Sequence, residues 1–239
     1  NFIIIKYMNN FEAITFTTFG YKDYTENLIA SINKNQIDLD VNVYTLDNKS
    51  HEYFSRFHNN LTPFVKDSHP KEFMEQQNSD FGELMLKKFE CIFDSLNKYE
   101  HVLYLDSDIV IKRNIREYLI NMIGRKDILF QNDKNPKKPN QINLCAGFMM
   151  IKSNKKTLKF FNPKNVPIKK IVKYRTHDQT HINKSIAKFN YNVLPLEYFP
   201  NGPYYYKNRK VLNPFIIHFN YVLGDEKIRL MKEYREWYI

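Results

Sequence analysis

The hydrophobic pattern predicts that short strands alternate with helices at the start of the chain. The β-branched and aromatic run Ala13–Thr18 predicts a strand, and Val41–Leu46 predicts a second strand with alternating polarity. Between them, Asp23 or Thr25 is expected to cap a helix over Glu26–Ile32. A helix between two short strands predicts parallel pairing of the strands and a right-handed crossover.

The clearest helical pattern lies in the middle of the chain. Apolar side chains recur at helical spacing from Phe81 to Tyr99, and the continuous apolar strand His101–Leu105 follows at once. A second apolar stretch, Ile109–Ile111, comes after a short polar break. Residues 49–79, which precede this helix, are polar and irregular, and they predict a short helix and a loop.

The second half of the chain carries less regular patterns. We expect a strand at Lys126–Gln131, a surface loop at residues 132–141, a strand at Asn143–Ile151 interrupted by Ala146 and Gly147, a helix at His177–Lys188, a strand at Phe215–Phe219 and a helix or tail at Asp225–Trp237. Neither an internal repeat nor a linker interrupts this series. The pattern therefore predicts a single α/β domain.

Composition adds a globular core and a positive surface. The chain has 239 residues, of which 43% are hydrophobic and 15% aromatic, enough to bury a sizeable core. Its longest apolar runs are too short to span a membrane, so we expect no membrane span. The chain begins at Asn1 rather than methionine, so a cytoplasmic location and a lumenal catalytic domain with an upstream anchor both stay open.

The net charge of +10 indicates that the surface attracts anions. Nucleic acid, an acidic membrane face and a phosphorylated small molecule all fit this charge. The lysines are scattered, and neither a basic helix with interleaved aromatics nor zinc-finger spacing is present, so no specific nucleic acid is expected. Cys91 and Cys145 lie in apolar stretches, which favours buried thiols, with a single disulfide left open.

Two carboxylates follow the predicted strand that ends at Leu105. Asp106 and Asp108 flank Ser107 where an apolar strand leaves the core, and ligands of open α/β sheets gather at such strand ends. An isolated Asp-x-Asp is more often a solvated turn, but here apolar strands lie on both sides. Because two adjacent buried acids repel each other, a divalent cation with oxygen ligands, Mn²⁺ or Mg²⁺, is expected between them.

The region around these acids resembles the nucleotide-diphospho-sugar transferases of the GT-A fold, both the glycogenin-like retaining enzymes and the plant cell-wall type. The latter have a lysine on the preceding helix, where Lys88 stands. Three later segments agree in order: Asn143-Leu144-Cys145-Ala146-Gly147-Phe148, Asp178-Gln179 with Asn183, and His218-Phe219-Asn220 followed by Gly224 and Lys227. Asn143 lies farther from Gly147 than its counterpart in many relatives. The resemblance covers about residues 13–227.

The resemblance implies a metal-dependent glycosyltransferase that acts on a nucleotide-diphosphate sugar. The implied fold is a GT-A, Rossmann-like α/β domain over residues 1–239, with a mixed, mainly parallel sheet flanked by helices. The donor-binding half would be about residues 1–112, and the sugar and acceptor half about 113–239. The donor would be UDP-linked by default or GDP-linked. The acceptor would be a hydroxyl of a glycan, glycoprotein or other molecule, and the anomeric configuration would be retained.

The same resemblance implies roles for individual residues. Asp106, Asp108 and His218 would bind the metal, and Asp178 and Gln179 would face the transferred sugar as catalytic residues. Residues expected to bind the donor are Thr17, Thr18, Tyr21, Lys88, Ser107, Asn143, Gly147, Asn220, Gly224 and Lys227. Gly224 would let the backbone approach the phosphates that Lys227 pairs with.

Each of these assignments has a plainer alternative. His218 could be a satisfied core histidine, Lys227 a surface lysine, Lys88 a lysine that reaches solvent, and Asp178 a helix-terminal residue. Residues 198–206, which include three consecutive tyrosines on a predicted Pro/Gly-rich loop, suit either an acceptor platform or an oligomer surface. A nucleic-acid-binding protein or metal-dependent nuclease, and a degenerate transferase that only binds sugars, are the rival functions.

Overall fold

A seven-stranded mixed sheet forms the centre of the molecule in the computed structural model. The structure describes residues 11–64, 79–134, 143–166 and 177–239, with the side chains of residues 79–85 excepted. The strands of this sheet are β1 (Phe11–Thr17), β2 (Val41–Thr45), β3 (Leu61–Pro63), β4 (His101–Leu105), β6 (Ile128–Asn132), β7 (Leu144–Lys152) and β8 (Tyr191–Leu194). Residues 65–78 and 135–142, which belong to two predicted loops, lie outside the described residues.

The sheet has the order β3-β2-β1-β4-β7-β6-β8. β3, β2, β1 and β4 pair in parallel, as do β6 and β8, whereas β7 runs antiparallel to both of its neighbours. The parallel pairing of β1 with β2, with α1 between them, confirms the predicted parallel pairing, and the right-handed crossover stays a prediction. The mixed, mainly parallel α/β fold predicted for the chain is likewise confirmed.

Helices cover both faces of this sheet. They are α1 (Lys22–Lys34), α2 (Asn48–Phe54), α3 (Ser79–Leu96), α4 (Arg116–Ile123), α5 (Lys155–Phe161), α6 (Asp178–Ser185), α7 (Gly202–Asn208) and α8 (Gly224–Glu233). Because successive strand residues point to opposite faces, Val102 packs with Phe89 of α3, whereas Leu103 packs with Leu28 of α1 on the other side. The apolar strands thus form two cores, one on each face of the sheet.

A second, two-stranded sheet lies beside the main one. It pairs β5 (Ile109–Ile111) with β9 (Ile216–His218) in antiparallel fashion, with Ile109 opposite His218. A separate aromatic cluster covers it, including Tyr24, Tyr205, Phe219 and Met231. Residues more than a hundred positions apart in sequence are therefore brought together by only three residues in each strand.

Several local predictions were wrong. β7 runs as one strand through Ala146 and Gly147, so the strand itself is not interrupted there. Its pairing with β6 does shift at this point, from Met149 opposite Phe130 to Cys145 opposite Gln131, which leaves residues 146–148 without a partner in β6. α1 begins at Lys22, so Asp23 lies inside its first turn, and neither Asp23 nor Thr25 caps the helix.

The predicted Pro/Gly-rich loop contains a helix, α7, which is capped by the Asn201 side chain. Tyr205 is buried and Tyr204 and Tyr206 are half-buried, so these three tyrosines form no exposed platform. Both cysteines are buried and free, as expected for thiols in apolar stretches. None of the helices in the described ranges is long and apolar enough to cross a bilayer.

Candidate functional site

One pocket of about 810 Å³ opens at the carboxyl ends of β1 and β4. Every residue that the sequence analysis selected for the site lines it: Thr17, Thr18, Tyr21, Lys88, Asp106, Ser107, Asp108, Asn143, Gly147, Asp178, Gln179, His218, Asn220, Gly224 and Lys227. The pocket also contains Asp133, which the sequence analysis did not select. Strand ends from both sheets thus meet around one cavity, as is usual for ligand sites in open α/β sheets.

Asp106, Asp108 and His218 converge in this pocket. Asp106 follows β4, Asp108 precedes β5, and His218 ends β9, whose pairing with β5 brings the imidazole to the acids. His218 Nε2 lies 3.2 Å from Asp108 Oδ1 and 4.0 Å from Asp106 Oδ2. One ligand atom from each residue lies within 4.8 Å of the others, a spacing that one metal ion can bridge.

The surroundings of this group fit a metal ion. Two carboxylates and one imidazole form an oxygen-rich donor set that suits Mn²⁺ or Mg²⁺ better than a structural zinc. Gly147 of β7 lies directly against the group, because a Cβ there would overlap the Asp106 carboxylate and lie 2.6 Å from His218 Cε1. Glycine is thus the residue that leaves room for both ligands to face each other.

Gln131 holds the imidazole of His218 in one orientation. Its Oε1 accepts a hydrogen bond from His218 Nδ1 at 2.7 Å, and its Nε2 donates to the carbonyls of Phe199 and Pro200 at 3.2 and 2.9 Å. Because the oxygen of Gln131 can only accept, this bond assigns the proton to Nδ1 and points Nε2 at the acids. The sequence analysis missed Gln131, whose one signal was a polar residue at the end of an apolar strand.

Asp108 and the imidazole alter each other's pKa. Burial by itself lowers the pKa of His218, but Asp108 and Cys145 together outweigh burial and raise this pKa well above its usual value. Burial raises the pKa of Asp108, but Lys227 and His218 outweigh it and hold this pKa well below its usual value. Asp108 is therefore an anion across the physiological range.

Lys88 is a buried cation that joins two of the carboxylates. Its Nζ lies 2.6 Å from Asp178 Oδ2 and 3.2 Å from Asp106 Oδ1, and it donates to the Ala146 carbonyl at 3.2 Å. The Tyr104 hydroxyl donates to the same Asp106 oxygen at 2.7 Å. Burial opposes the charge, but Asp106 and Asp178 raise the pKa of Lys88, so it stays protonated. Lys88 does not reach solvent; it orients Asp106 and Asp178.

Lys227 contacts the other metal-site acid. It lies in the first turn of α8, and its Nζ is ion-paired with the Asp108 carboxylate. The Lys227 side chain is only 12% exposed, so it is not a plain surface lysine. Gly224, at the start of this helix, has φ +55°, and a Cβ there would meet open space. Its backbone conformation favours glycine, and the close approach of this backbone to donor phosphates stays a prediction.

Gln179 and Asn183 fasten α6 to the edge of β7. Gln179 Oε1 accepts from the Ala146 amide at 3.2 Å, and its Nε2 donates to Asp133 Oδ2 at 2.8 Å. Asn183 pairs with the amide and carbonyl of Leu144 at 3.0 and 2.9 Å. Asp178 starts α6 without capping it, since the N-cap position is His177. The motif resemblance thus corresponds to a helix laid along β7.

Thr17, which ends β1, and Thr18 and Tyr21, which follow it, line the pocket. The Thr17 hydroxyl accepts from Thr25 at 2.9 Å and donates to the Thr18 carbonyl at 3.0 Å. The Thr18 hydroxyl is buried and has no hydrogen-bond partner among the described residues. Since Thr18 also lines the pocket, this hydroxyl without a partner is a candidate contact for a ligand.

Comparison with known proteins agrees with this geometry. A sequence model of the family of nucleotide-diphospho-sugar transferases matches residues 40–231. A UDP-galactose:fucoside alpha-3-galactosyltransferase of Dictyostelium discoideum is 26% identical to this chain over an alignment of 282 residues, which covers 96% of this chain. The chain spans 43% of the length of that curated relative.

Solved structures of glycosyltransferases share the fold. The galactosyltransferase LgtC, solved with donor and acceptor sugar analogs, superposes with a TM-score of 0.60 at 13% identity, covering 87% of this chain and 86% of LgtC. The glycosyltransferase GlyE of Streptococcus pneumoniae superposes with a TM-score of 0.62 at 17% identity, covering 97% of this chain and 61% of GlyE. At these identities the likeness shows a common fold, which is the GT-A fold.

Proposed function

This chain belongs to the nucleotide-diphospho-sugar transferase family and is a glycosyltransferase, and from that premise we propose that its activity depends on a divalent metal and a UDP-linked sugar. Asp106, Asp108 and His218 would hold Mn²⁺ or Mg²⁺. The observation that carries this proposal is the convergence of these three side chains, from the ends of two different sheets, within 4.8 Å. The donor is a nucleotide sugar, and the acceptor is proposed to be a hydroxyl of a glycan, a glycoprotein or another molecule.

The charges of the pocket support a metal. Four carboxylates line it, Asp106, Asp108, Asp133 and Asp178, against three lysines, Lys88, Lys184 and Lys227. A donor diphosphate would add further negative charge to this excess. A divalent ion bound by the acids would offset both and stabilise the charge that develops on the leaving nucleoside diphosphate.

The remaining residues would bind the parts of the donor in order along the pocket. Thr17, Thr18 and Tyr21 would contact the base and ribose, and the free Thr18 hydroxyl supports this placement. Lys227 would pair with the phosphates once a metal shares Asp108. Ser107, Asn143, Gly147 and Asn220 would surround the sugar and phosphates, and Asp178 and Gln179 would face the transferred sugar.

We also propose that the domain is organised in two halves. Residues 1–112 would bind the nucleotide and supply the two metal-binding acids. Residues 113–239 would hold the sugar and the acceptor. They would also supply His218 as a metal ligand and Lys227 as a contact for the phosphates. The pairing of β5 with β9 supports this arrangement, since it joins the two halves at the metal group.

Retention of the anomeric configuration is the outcome we propose. An inverting enzyme requires a carboxylate that accepts the proton of the acceptor hydroxyl. Among the described residues of the pocket, Asp178 is ion-paired with Lys88, Asp133 accepts hydrogen bonds from four amides, and the other two acids are the proposed metal ligands. Because none of these carboxylates is free, the leaving phosphate is the better proton acceptor.

The name of the curated relative selects the first substrates for a test. UDP-galactose is the first donor and a fucoside the first acceptor, with a panel of other UDP- and GDP-sugars beside them. We expect Mn²⁺-dependent release of UDP by the wild-type protein and its loss in Asp106→Ala. Release of UDP that EDTA leaves unchanged would contradict the metal dependence, and transfer from GDP-sugars alone would contradict the donor.

A nuclease that uses two metal ions is the alternative with some support in the structure. Asp133 and Asp178 bring further carboxylates to the pocket, as such a site requires. However, both are engaged by amides or by Lys88. Cleavage of DNA or RNA, or a salt-sensitive gel shift together with no effect of nucleotide sugars on Tm, would favour this alternative.

A further inference from the structure

Asp133 is a buried carboxylate at the centre of the pocket wall. It follows β6 directly and is 4% exposed. Its Oδ2 accepts from Gln179 Nε2 at 2.8 Å and from Asn143 Nδ2 at 3.0 Å. Its Oδ1 accepts from Asn220 Nδ2 at 3.0 Å and from Asn201 Nδ2 at 3.4 Å. Four amides from four separate segments of the chain therefore share one carboxylate.

The backbone of Asp133 strengthens the same connection. Its amide donates to the Asn143 carbonyl at 2.9 Å, and its carbonyl accepts from Asn143 Nδ2 at 3.1 Å and from the Tyr221 hydroxyl at 3.3 Å. These contacts fix the carboxylate in place. A buried anion that receives charge-assisted hydrogen bonds from fixed donors also restricts those donors.

The hydrogen bonds that the Asp133 carboxylate accepts exclude it as a general base or a metal ligand. A carboxylate has about four lone-pair positions, and the four amides occupy all of them. An acceptor hydroxyl or an ion would have to displace one of these amides. Asn201 Nδ2 and Asn220 Nδ2 have no other acceptor in the described contacts, whereas Gln179 Nε2 also lies 3.4 Å from Asn143 Oδ1 and Asn143 Nδ2 also donates to the Asp133 carbonyl. The positions of these amides, and not the basicity of the acid, are what this arrangement secures.

We propose that Asp133 is a positioning residue that aligns the sugar-facing side of the pocket. Its partners each bind a second group: Gln179 takes the Ala146 amide beside Gly147, Asn220 takes the Gly202 amide at 2.7 Å, and Asn201 caps α7. The carboxylate thus holds α6, β7, α7 and the end of β9 in register. Its catalytic consequence rests on the proposed function.

The sequence of β6 offers a matched control at its other end. Asp127, directly before β6, is 9% exposed and accepts from the Asn190 amide at 2.9 Å, from Asn154 at 2.9 Å and from Lys156 at 3.2 Å. It does not line the pocket. Asp127→Asn therefore disturbs a comparable buried carboxylate on the same strand without touching the site.

The test compares Asp133→Asn with Asp127→Asn. An amide at residue 133 replaces one carboxylate oxygen by an NH₂ donor. The replaced oxygen accepts either from Gln179 and Asn143 or from Asn220 and Asn201, so one of these two pairs loses its hydrogen bonds to the side chain of residue 133. We expect both variants to fold with similar losses of Tm and to bind Mn²⁺ and UDP within about 3-fold of wild type, since the metal group is untouched. We expect kcat to fall about 100-fold in Asp133→Asn only, which is the effect of displacing a positioning group by about 1 Å.

Three results would overturn the proposal. Equal activity of the two variants would make Asp133 a stability residue. Loss of the acidic limb of the pH–kcat profile in Asp133→Asn would make it a base, whereas a positioning residue lowers kcat and leaves the profile's shape unchanged. A crystal structure of Asp133→Asn with Gln179 and Asn220 unmoved would contradict it without any assay. If wild type releases no UDP, the proposed function fails, and the crystal structure still decides the positioning.

Discussion

The main sheet and the two-stranded sheet each deliver part of the candidate metal group, but they are stabilised differently. Asp106 follows β4, a strand paired along its length with β1 and β7 and covered by apolar helices on both faces. Asp108 directly precedes β5 and His218 ends β9, and each of these strands has only three residues. A pair of such short strands is not stable alone in water, so the second sheet depends on what packs around it.

Side-chain contacts supply that support. Ser31 Oγ accepts from the Ile111 amide at 3.0 Å, and Asn35 donates to the Ile111 carbonyl at 2.7 Å, which fastens β5 to α1. At the end of the chain, buried Glu236 accepts from Lys112 at 2.8 Å and from the Tyr238 hydroxyl at 2.7 Å. The comparison indicates that one proposed metal ligand is fixed by backbone pairing, and the other two by a cover of side chains.

Substitution of one acid at a time should have the largest effect and should test the difference between the two sheets most directly. We expect Asp106→Asn and Asp108→Asn each to lower transfer on the order of 1,000-fold, because either removes an anionic metal ligand. Asp108→Asn should also lower Tm more, since it leaves His218 and Lys227 without their anion, whereas Lys88 keeps Asp178 when Asp106 is changed. UDP release and Tm measured on the same samples separate the two effects.

Equal Tm losses in the two variants would contradict the difference between the sheets. Ser153→Ala, which removes a hydroxyl that donates to the Leu96 carbonyl far from the pocket, serves as a control for an ordinary lost hydrogen bond.

Gly147→Ala should be the next most harmful change. The added methyl group would overlap the Asp106 carboxylate and press on His218. The two sheets would have to separate at the metal group, so we expect a loss of transfer of about 100-fold, as for a misplacement of about 1 Å. Gly124→Ala offers the contrast, because a Cβ there meets nothing, although its φ of +41° costs some stability. Retained activity in Gly147→Ala would contradict the tight approach of β7 to the ligands.

Gln131→Met should weaken the metal site without removing a ligand. The methionine keeps the approximate shape but cannot accept the Nδ1 proton, so His218 would lose its fixed tautomer. Loss of such a supporting hydrogen bond costs roughly 10- to 100-fold in metal affinity. Titration calorimetry with Mn²⁺ measures this directly. Unchanged affinity would mean that β9 alone fixes the imidazole.

The sequence predicted the strands that carry the acids better than the contacts between distant segments. His101–Leu105 was predicted with its observed bounds, and the acids that follow it stood out because polar residues interrupt apolar strands. Asp133 did not stand out, because residues 132–141 matched the composition of a surface loop. Its partners Gln179, Asn201 and Asn220 lie 46, 68 and 87 residues away, and no local pattern encodes such pairing.

One error concerned local structure. Helix α7 carries the usual start of a helix, an Asn cap followed by proline in the first turn, yet three tyrosines beside Gly and Pro suggested a loop. For Lys88, the sequence predicted a place near the donor phosphates or sugar, which stays a prediction, and it did not predict the ion pairs with Asp106 and Asp178. Spacing along a helix fixes the face on which a side chain lies and leaves its partner undetermined.

Glu236→Ala should have the smallest effect and the most selective one. It removes the carboxylate that holds Lys112 and Tyr238, and since Lys112 can turn to solvent, we expect a cost of about 1.5 kcal/mol. Hydrogen exchange should accelerate in β5 and β9 and stay unchanged in β1 and β4, because only the second sheet rests on this cover. Glu233→Ala, which removes an exposed partner of Arg229 on α8, should leave stability nearly unchanged and alter neither sheet. Faster exchange in all four strands would show that the two sheets unfold as one unit. The second sheet would then not have a lower free energy of local unfolding than the main sheet, which would contradict the comparison.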